Sequence, residues 1–416
     1  MGLSRRSLLA AGLATLALPG CSAGVPEAAV DRKVEVFSWW AGPGEKEGLE
    51  ALVGDFAAHN PGVAFDNAAV AGGAGTIART VLATRLENGD PPDSYQAHAG
   101  LELTDDIQAG YVEDLRELYQ EQGWLAKLPG GLVDAITVGT KIYCVPVNIH
   151  RSNLLWYNPK TLSGLGLTPP KSWAEFLEQG DVIAKRGLTP LSIGPAWTQK
   201  HLLENVLLGE LGADGYTGLF SGRTDWTGVP VRQALDLCTE VLARSDLAAA
   251  AADWQPALDR VVAGTAAYNV MGDWADGYLR TNGLTFTQGY GCITAPGTER
   301  VYNFLSDSFT LPKGAPHPGA ARKWLIECGS VAGQDAFNPQ KGSVPARTDT
   351  DRSKYTGYLA SAVAEWADGG TRVVGSLTHG VVAGSAWNAK IDTALAAFVQ
   401  DKDAAKFAAA VAAGRA

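Results

Sequence analysis

The sequence predicts an α/β protein with two lobes. Its 416 residues exceed the usual size of one domain, and 46% of them are hydrophobic, which is enough for a substantial core. Strand and helix patterns alternate along the first hundred residues, as in a parallel sheet with helices on its faces. Only 19% of the residues are charged, which excludes a disordered chain, and the net charge of −10 argues against a partner nucleic acid.

The first twenty residues have the pattern of an export signal. Arg5 and Arg6 precede an apolar run over residues 9–18, which is about half the ~20 residues that a membrane-spanning helix needs. This predicts a signal peptide over residues 1–20 rather than an anchor helix. The arginine pair fits an ordinary basic start and a twin-arginine signal equally well, so the export route stays open.

The apolar run ends at Leu18-Pro19-Gly20-Cys21, which resembles the lipobox of bacterial lipoproteins. Cleavage before Cys21 would expose this cysteine for lipidation, and a plain secretory junction is the alternative. We expect residues 21–31 to form a flexible tether. The chain is then an exported lipoprotein on the outer face of the cytoplasmic membrane, in a periplasm or at a cell surface.

Four further cysteines, an even number, could pair in an oxidising compartment. None has a neighbouring cysteine or a metal-ligand spacing. Cys238 and Cys328 each share a helical face with apolar residues three, four or seven positions away. We therefore expect buried free thiols, although a disulfide among Cys144, Cys238, Cys292 and Cys328 stays open.

The first lobe begins with a β-α-β-α-β pattern. Residues 32–40 alternate as a half-buried strand does, residues 63–70 form a second strand, and a third approaches residue 98. One apolar helix face precedes the second strand, and another follows the glycine-rich loop at 72–75. These faces comprise Leu49, Leu52, Val53, Phe56 and Ala57 in the first helix, and Ile77, Val81, Leu82 and Leu86 in the second.

The carboxyl ends of these strands mark the place for a ligand, because ligands of parallel sheets lie beyond that edge. The ends fall at Trp39-Trp40, at the 72–75 loop and at Gln96-Ala97-His98. We therefore expect a binding site there.

A second α/β region follows residue 148. Ser172 is a good helix N-cap, and Glu175 completes the pattern of a capping box. Residues 261–274 indicate a helix end, a buried strand and a Gly272-Asp273-Trp274 turn. The alanine-rich residues 394–413 indicate one closing helix.

A series of short motifs runs in order along nearly the whole chain beyond residue 31. The motifs are Val36-Phe37-Ser38-Trp39-Trp40, Gly72-Gly73-Ala74-Gly75-Thr76, Asp90-Pro91-Pro92-Asp93-Ser94-Tyr95-Gln96-Ala97-His98, Pro146-Val147-Asn148-Ile149-His150-Arg151, Met271-Gly272-Asp273-Trp274, Ser306-Asp307-Ser308-Phe309, Gln340-Lys341-Gly342-Ser343-Val344-Pro345 and His379-Gly380. Together they resemble the family 1 extracellular solute-binding proteins of bacterial ABC transporters, and more narrowly the glucose/galactose-type monosaccharide binders.

The resemblance implies a periplasmic-binding-protein-like fold, with two α/β lobes around a ligand cleft and about three crossovers. The implied N-terminal lobe comprises residues 33–148 with 309–344, and the C-terminal lobe residues 149–308 with 345–416. It also implies a monomer that captures a glucose-, galactose- or mannose-like sugar by lobe closure and delivers it to the permease. No cofactor and no metal are implied.

Sugar chemistry explains the aromatic residues of these motifs. A pyranose has an apolar face and a ring of hydroxyls, so its site needs aromatic planes together with rigid donors and acceptors. Trp39 and Trp40 at a strand end and Trp274 in a turn are the candidate planes. Core packing is the alternative for each.

The polar candidates are Glu45, Gln96, His98, Asp307, Lys341 and His379. Glu45 follows the first strand, and Gln96 and His98 project to one side because they are two residues apart. Asp307, near a crossover, could bind two vicinal hydroxyls. The alternatives are a helix first-turn acid for Glu45 and a capping acid for Asp307.

The resemblance adds Lys341 and His379, which match positions that contact sugar in the family. A solvated amine and a loop imidazole are their alternatives. Two departures, His150-Arg151 and the Asp225-Trp226 turn, could alter the far side of the pocket.

The main alternative function is a secreted glycosidase or polysaccharide lyase with paired carboxylates such as Glu45 and Asp307. The chain has no Gly-x-Ser-x-Gly, His-Glu-x-x-His or phosphate-loop motif. A binder of short oligosaccharides and a non-catalytic scaffold or adhesin are further alternatives, although a scaffold would not need this series of polar and aromatic residues. We therefore expect a binding protein rather than an enzyme.

Overall fold

The protein is described by a computed structural model over residues 31–72, 75–247, 253–367 and 370–415. The expected signal peptide, Cys21 and the tether up to residue 30 lie outside the described residues. The strands, in chain order, are β1 Lys33–Phe37, β2 Ala64–Asn67, β3 Ser94–His98, β4 Thr137–Val138, β5 Lys141–Ile142, β6 Val145–Pro146, β7 His150–Arg151, β8 Leu154–Tyr157, β9 Thr189–Ser192, β10 Ser245–Asp246, β11 Ala266–Val270, β12 Gly291–Thr294, β13 Val301–Leu305, β14 Asp307–Phe309 and β15 Arg372–Gly375.

The helices between these strands supply most of the core. They are α1 Lys46–His59, α2 Thr76–Glu87, α3 Thr104–Ala109, α4 Arg116–Gln122, α5 Gly130–Ile136, α6 Pro159–Leu165, α7 Trp173–Lys185, α8 Ala196–Ser221, α9 Val229–Ala243, α10 Gln255–Val262, α11 Trp274–Thr281, α12 Pro318–Gly329, α13 Val331–Lys341, α14 Tyr358–Ala367, α15 Ser385–Asp401 and α16 Ala404–Gly414. None of the helices within the described ranges has the length and apolar character to cross a membrane.

The fold has two α/β lobes, each built on a five-stranded sheet. In the first sheet, ordered β2-β1-β3-β14-β6, β1 pairs in parallel with β2 and β3, as the β-α-β-α-β pattern predicts. In the second sheet, ordered β10-β9-β11-β8-β12, strands β9, β10 and β11 are parallel. A three-stranded sheet, β15-β13-β7, accompanies them.

The connections between the sheets place polar residues where the lobes meet. β14 runs antiparallel to β3, and this register sets Asp307 opposite His98. β13 runs antiparallel to β7, and this register sets Leu305 opposite His150. Ile149 also pairs with Val344, two residues after Gly342.

Two helix expectations were wrong in detail. In α2, Ile77 and Val81 are 54% and 40% exposed, whereas Ala78, Leu82 and Leu86 are buried. The buried residues are four apart, so the helix meets the core along a single ridge. The expected closing helix is two helices, because Lys402 has a left-handed φ of 60° that ends α15 before α16 begins.

Two expectations at helix N-termini were also wrong in detail. Trp274 is the first residue of α11 rather than part of a turn, because the amide of Asp276 already donates to the carbonyl of Asp273 at 2.9 Å. The Ser172 hydroxyl accepts from the amide of Glu175 at 3.1 Å, as expected of an N-cap. The Glu175 carboxylate, however, accepts from the amide of Lys171, so the capping box is not closed.

The cysteines of the described chain are free thiols, as expected. Cys144, Cys238 and Cys328 are buried, and Cys292 is partly buried. Burial raises the pKa of Cys144 and Cys238 to about 12, which keeps these thiols protonated and unreactive.

Candidate functional site

A small pocket, with a cavity volume of about 40 Å³, lies where elements of the two five-stranded sheets meet. The lining residues are Trp39, Trp40, Glu45, Gly72, His98, His150, Trp197, Asp253, Trp254, Trp274, Leu305, Asp307, Lys341 and His379.

The structure brings eight of the nine residues predicted for the site into this pocket. The exception is Gln96, which lies behind the wall. Its side-chain amide donates to Oδ1 of Asp307 at 2.9 Å, and its carbonyl oxygen accepts from the backbone N–H of Trp39 at 3.2 Å. Gln96 therefore positions two lining residues instead of facing the pocket.

Asp307 is the most heavily contacted acid of the pocket. Besides Gln96, Asn148 donates to its Oδ2 at 2.8 Å. The ring nitrogens Nε2 of His98 and His150 lie 3.8 and 3.4 Å from its two carboxylate oxygens. One buried carboxylate thus lies between two amides and two imidazoles.

These neighbours keep Asp307 ionised. Its burial opposes ionisation, but the hydrogen bond and charge of His150 and the charges of His98 and Lys341 outweigh that effect. The pKa of the Asp307 carboxyl therefore lies well below its usual range.

Nδ1 of His98 and Nδ1 of His150 each contact an acidic side chain. Nδ1 of His98 contacts Oε2 of Glu102 at 2.7 Å, and Nδ1 of His150 contacts Asp273. Burial disfavours charge on His150, but Asp273 reverses this and raises the pKa of the imidazole. These contacts fix both rings, with Nε2 directed towards Asp307.

Glu102 remains ionised at this depth because it has two basic partners. Burial opposes its ionisation, but Arg79 and His98 lower the pKa of the carboxyl to about 2. The amide of His98 also donates to Glu102, at 3.1 Å. Glu102 therefore anchors one side of the pocket.

Aromatic rings form the pocket walls. The centroid of Trp39 lies 5.1 Å from that of His98, and the centroid of Trp274 lies 5.3 Å from those of His150 and His379. Trp197 extends this wall, 6.3 Å from Trp274. Such planes suit the apolar face of a flat ligand.

Trp40 both packs in the core and lines the pocket. Its ring lies 5.6 Å from Phe309 and 4.9 Å from Phe337, and its residue is only 1% exposed. The ammonium of Lys341 lies 5.7 Å from its centroid. The core interpretation and the binding interpretation are therefore compatible here.

Glu45 and Lys341 meet because two helices approach closely. Glu45 is the N-cap of α1, Lys341 ends α13, and their charged atoms are 4.0 Å apart. A Cβ at Gly48 would lie 2.9 Å from Cβ of Lys341, so glycine permits this approach. Burial raises the pKa of Glu45 to about 7, although Lys341 opposes the shift.

Comparison with known proteins decides the family. Residues 42–335 match the model of the bacterial extracellular solute-binding protein family. The chain belongs to this family. The predicted resemblance to the extracellular solute-binding family is therefore confirmed.

Full-length relatives and a solved structure agree with this assignment. An ABC transporter extracellular-binding protein of Pyrococcus horikoshii is 30% identical over 91% of this chain and 86% of its own length. A probable sugar-binding periplasmic protein of Brucella melitensis is 30% identical over 90% of this chain and 89% of its own. A chitin oligosaccharide binding protein shares the fold, with a TM-score of 0.79 at 18% identity over 92% of this chain and 98% of its own.

Sequence reasoning missed several lining residues of this solute-binding protein. Trp197 is the second residue of α8, shortly after β9 ends at Ser192, so the strand-end argument would have found it if applied to the second sheet. His150 was noted only as a departure at the pocket's far side. Asp253 and Trp254 precede α10 away from any strand end and carry no comparable pattern.

Two residues suspected at the far side of the pocket lie elsewhere. Trp226 is buried against the rings of Phe220 and Trp387, at centroid distances of 6.1 and 6.5 Å, in the second lobe's core. Arg151 directs its guanidinium to Glu365, at 2.6 Å, and does not line the pocket. Trp226 therefore packs against apolar residues, and Arg151 forms an ion pair, outside the site.

Proposed function

We propose that this solute-binding protein captures a monosaccharide for an ABC importer and delivers it to the permease. The observation that carries the proposal is the placement of Asp307 with two fixed histidines between tryptophan walls. Hydroxyls need fixed acceptors and donors, and the C–H face of a pyranose needs an aromatic plane. The sugar-binding name of the Brucella melitensis relative supports the ligand class.

An unpaired polar atom in the wall supports a hydroxylated ligand. Within the described chain, Nε1 of Trp197 is buried without a hydrogen-bond partner. Leaving such an atom unpaired costs about 1–3 kcal/mol, so a ligand that pairs with it gains that amount. A sugar epimer that fails to pair it would be rejected.

The burial of the lining favours one ring over a chain of sugars. Trp39 and Trp274 are each 6% exposed, and His98, Asp307 and His379 are each 3% exposed. A longer oligosaccharide would need these walls to separate. We therefore propose a glucose-, galactose- or mannose-like ligand, with short oligosaccharides as the alternative.

The remaining parts of the proposal concern the chain around the site. We propose lobes of residues 33–148 with 309–344 and of residues 149–308 with 345–416, closing as a hinge on the sugar. The sheet membership of β1, β2, β3 and β6 on one side and of β8 to β12 on the other supports these ranges, whereas β14 belongs to the first sheet and begins at Asp307, two residues before the bound at 309. We also propose that the protein is a monomer, tethered outside the cell by lipid on Cys21.

A glycosidase or lyase is the second candidate, and one observation favours it. Glu45 has a pKa near 7, whereas Asp307 stays ionised, and such a separation is what an acid and a nucleophile or base require. Against it, the hydrogen bonds from Gln96 and Asn148 stabilise the Asp307 carboxylate and so weaken it as a nucleophile or base, and Lys341 beside Glu45 favours the ionised form of the proposed acid.

One experiment separates these functions. The purified chain is mixed with glucose, galactose, mannose, xylose and several disaccharides while tryptophan fluorescence is followed, and the sugars are then analysed by chromatography. We expect a saturable fluorescence change with a monosaccharide and full recovery of every sugar. Steady conversion of a disaccharide would establish the enzyme. The absence of a fluorescence change with every sugar would contradict the binding proposal.

A further inference from the structure

A second cluster of ligand-type side chains lies away from the sugar pocket. Asp55 and His59 are one turn apart at the end of α1, and Glu327 lies near the end of α12. Each offers one atom, and these three atoms lie within 4.8 Å of one another. The sugar-binding proposal gives this cluster no role.

The spacing fits the coordination shell of a small divalent cation. Nδ1 of His59 is 3.3 Å from Oε2 of Glu327 and 3.6 Å from Oδ2 of Asp55. Tetrahedral zinc with bonds of about 2.0–2.1 Å separates its ligand atoms by about 3.3 Å. The three side chains therefore need little movement to share one ion.

Unpaired oxygens are the second, independent observation. Glu327 is only 4% exposed, yet its Oε1 has no hydrogen-bond partner within the described residues, and neither has the buried Oδ2 of Asp55. A buried carboxylate oxygen without a donor is costly.

A hollow beside the cluster gives ions and water access. It is lined by His59, Asn60, Lys323, Ile326, Glu327 and Ser330, among others. Lys323 is the one cation in this lining, and no ion pair with Glu327 is formed by it among the described residues. Solvent can therefore supply the fourth ligand of an ion held by three side chains.

We propose that Asp55, His59 and Glu327 form a divalent-cation site that fastens the end of α1 to α12. One imidazole with two carboxylates suits Zn²⁺ better than Ca²⁺ or Mg²⁺, which prefer oxygen ligands alone. The 14 residues of α1 place this site about 20 Å from Glu45 at the other end of the helix. The ion would thus stabilise the helix that carries a sugar-pocket residue without touching the sugar.

The test is a calorimetric titration of the tag-free, chelator-treated chain with ZnCl₂. We expect one saturable site, and we expect His59→Asn and Glu327→Gln each to weaken it at least tenfold. His317→Asn is the matched control, because His317 contacts the buried acid Asp93 at 3.0 Å and belongs to no cluster of three ligand-type side chains within the described residues. It should leave zinc affinity unchanged. Zinc should raise the melting temperature of the parent chain but not of the two site variants.

The same titration can overturn the proposal. No saturable zinc uptake by the parent chain would mean that the cluster is an ion pair only. Uptake that survives both His59→Asn and Glu327→Gln would place the ion elsewhere, for example among the pocket histidines. Sugar affinity, measured in parallel, is expected to stay the same in both site variants and shows that they are folded.

Discussion

Asn148 and Asp307 hold each other by two reciprocal hydrogen bonds. Nδ2 of Asn148 donates to Oδ2 of Asp307 at 2.8 Å, and the backbone N–H of Asp307 donates to Oδ1 of Asn148 at 2.7 Å. Asn148 lies between β6 and β7, and Asp307 begins β14, so the pair joins two neighbouring connections between sheets. The carboxylate is therefore oriented in the structure before any ligand contributes, which lowers the cost of binding.

Replacing Asp307 by Asn should weaken sugar binding by at least about tenfold, because a hydrogen bond to a charged group contributes about 1.5–3 kcal/mol. The new amide would also face the donors of Gln96 and Asn148 and disturb the oriented pair. Calorimetry gives the affinity and thermal melting gives the stability.

The matched control is Asp106→Asn, since Asp106 accepts from the Tyr95 hydroxyl at 2.7 Å but does not line the sugar pocket. We expect this control to lose some stability and to keep its sugar affinity. Equal affinity losses in both variants would contradict a specific role for Asp307.

Trp274→Ala should weaken sugar binding at least tenfold, a loss of about 1.4 kcal/mol or more. The reason is the loss of the ring that lines the pocket beside His150 and His379. Trp226→Ala is the comparison, because Trp226 is buried away from the pocket. That variant should lose about 3–5 kcal/mol of stability with unchanged affinity in the folded fraction. If Trp274→Ala instead lost stability and kept its sugar affinity, Trp274 would be a core residue rather than a binding residue.

Gly277→Ala should disturb the contact between α11 and α13. A Cβ at Gly277 would lie 2.6 Å from the backbone oxygen of Lys341, so the two helices must separate. We expect a destabilisation of about 1–3 kcal/mol and weaker sugar binding, because Trp274 and Lys341 move apart.

Gly164→Ala is the control for that helix change, since a Cβ there meets nothing within 4 Å inside α6. It should stabilise the protein by about 0.5–1 kcal/mol through helix propensity. If both alanines stabilise the protein, the close approach at Gly277 does not matter.

Glu45 should make stability depend on pH. Burial raises its pKa from 4.5 to about 7, so its favourable contribution is complete below pH 4.5 and is lost as pH rises through 7. Glu45→Gln cannot ionise and should therefore gain stability relative to the parent chain between about pH 5 and 8. The expected gain is of order 1–3 kcal/mol.

Denaturant unfolding of both proteins across this pH range measures the difference. Other titrating groups are common to the two proteins, so the difference isolates Glu45. A flat difference, or one that favours the parent chain at high pH, would show that this carboxyl is not held at a raised pKa.

Much of the fold and of the site could be predicted where a sequence pattern has a single local cause, such as a strand end or a helix face. Strand ends at Trp39-Trp40 and His98 located the pocket, since the edge of a parallel sheet is fixed by the strands themselves. The burial of Leu49, Leu52 and Phe56 in α1 followed from residue spacing, as did the buried thiols of Cys238 and Cys328, whereas Ala57 of the predicted α1 face is exposed.

The other features of the site depend on tertiary contacts, which the spacing of residues along the sequence does not encode. Gln96 lies two residues from His98 but donates to Asp307, because the antiparallel β14 brings that acid alongside β3. The Asp225-Trp226 turn is a departure from the family pattern expected at the far side of the pocket, whereas packing against Phe220 and Trp387 places Trp226 in the core. The partners in both cases are distant in sequence or belong to other elements.

The central claim is that the pocket around Asp307 binds one monosaccharide. Isothermal titration of the purified chain with glucose, galactose, mannose and xylose, and with their short oligosaccharides, tests it most directly. We predict a stoichiometry of one for at least one monosaccharide, with tighter binding than for its oligosaccharides and with loss of that heat in Asp307→Asn. Absence of heat from every monosaccharide, or binding that Asp307→Asn leaves intact, would contradict the claim.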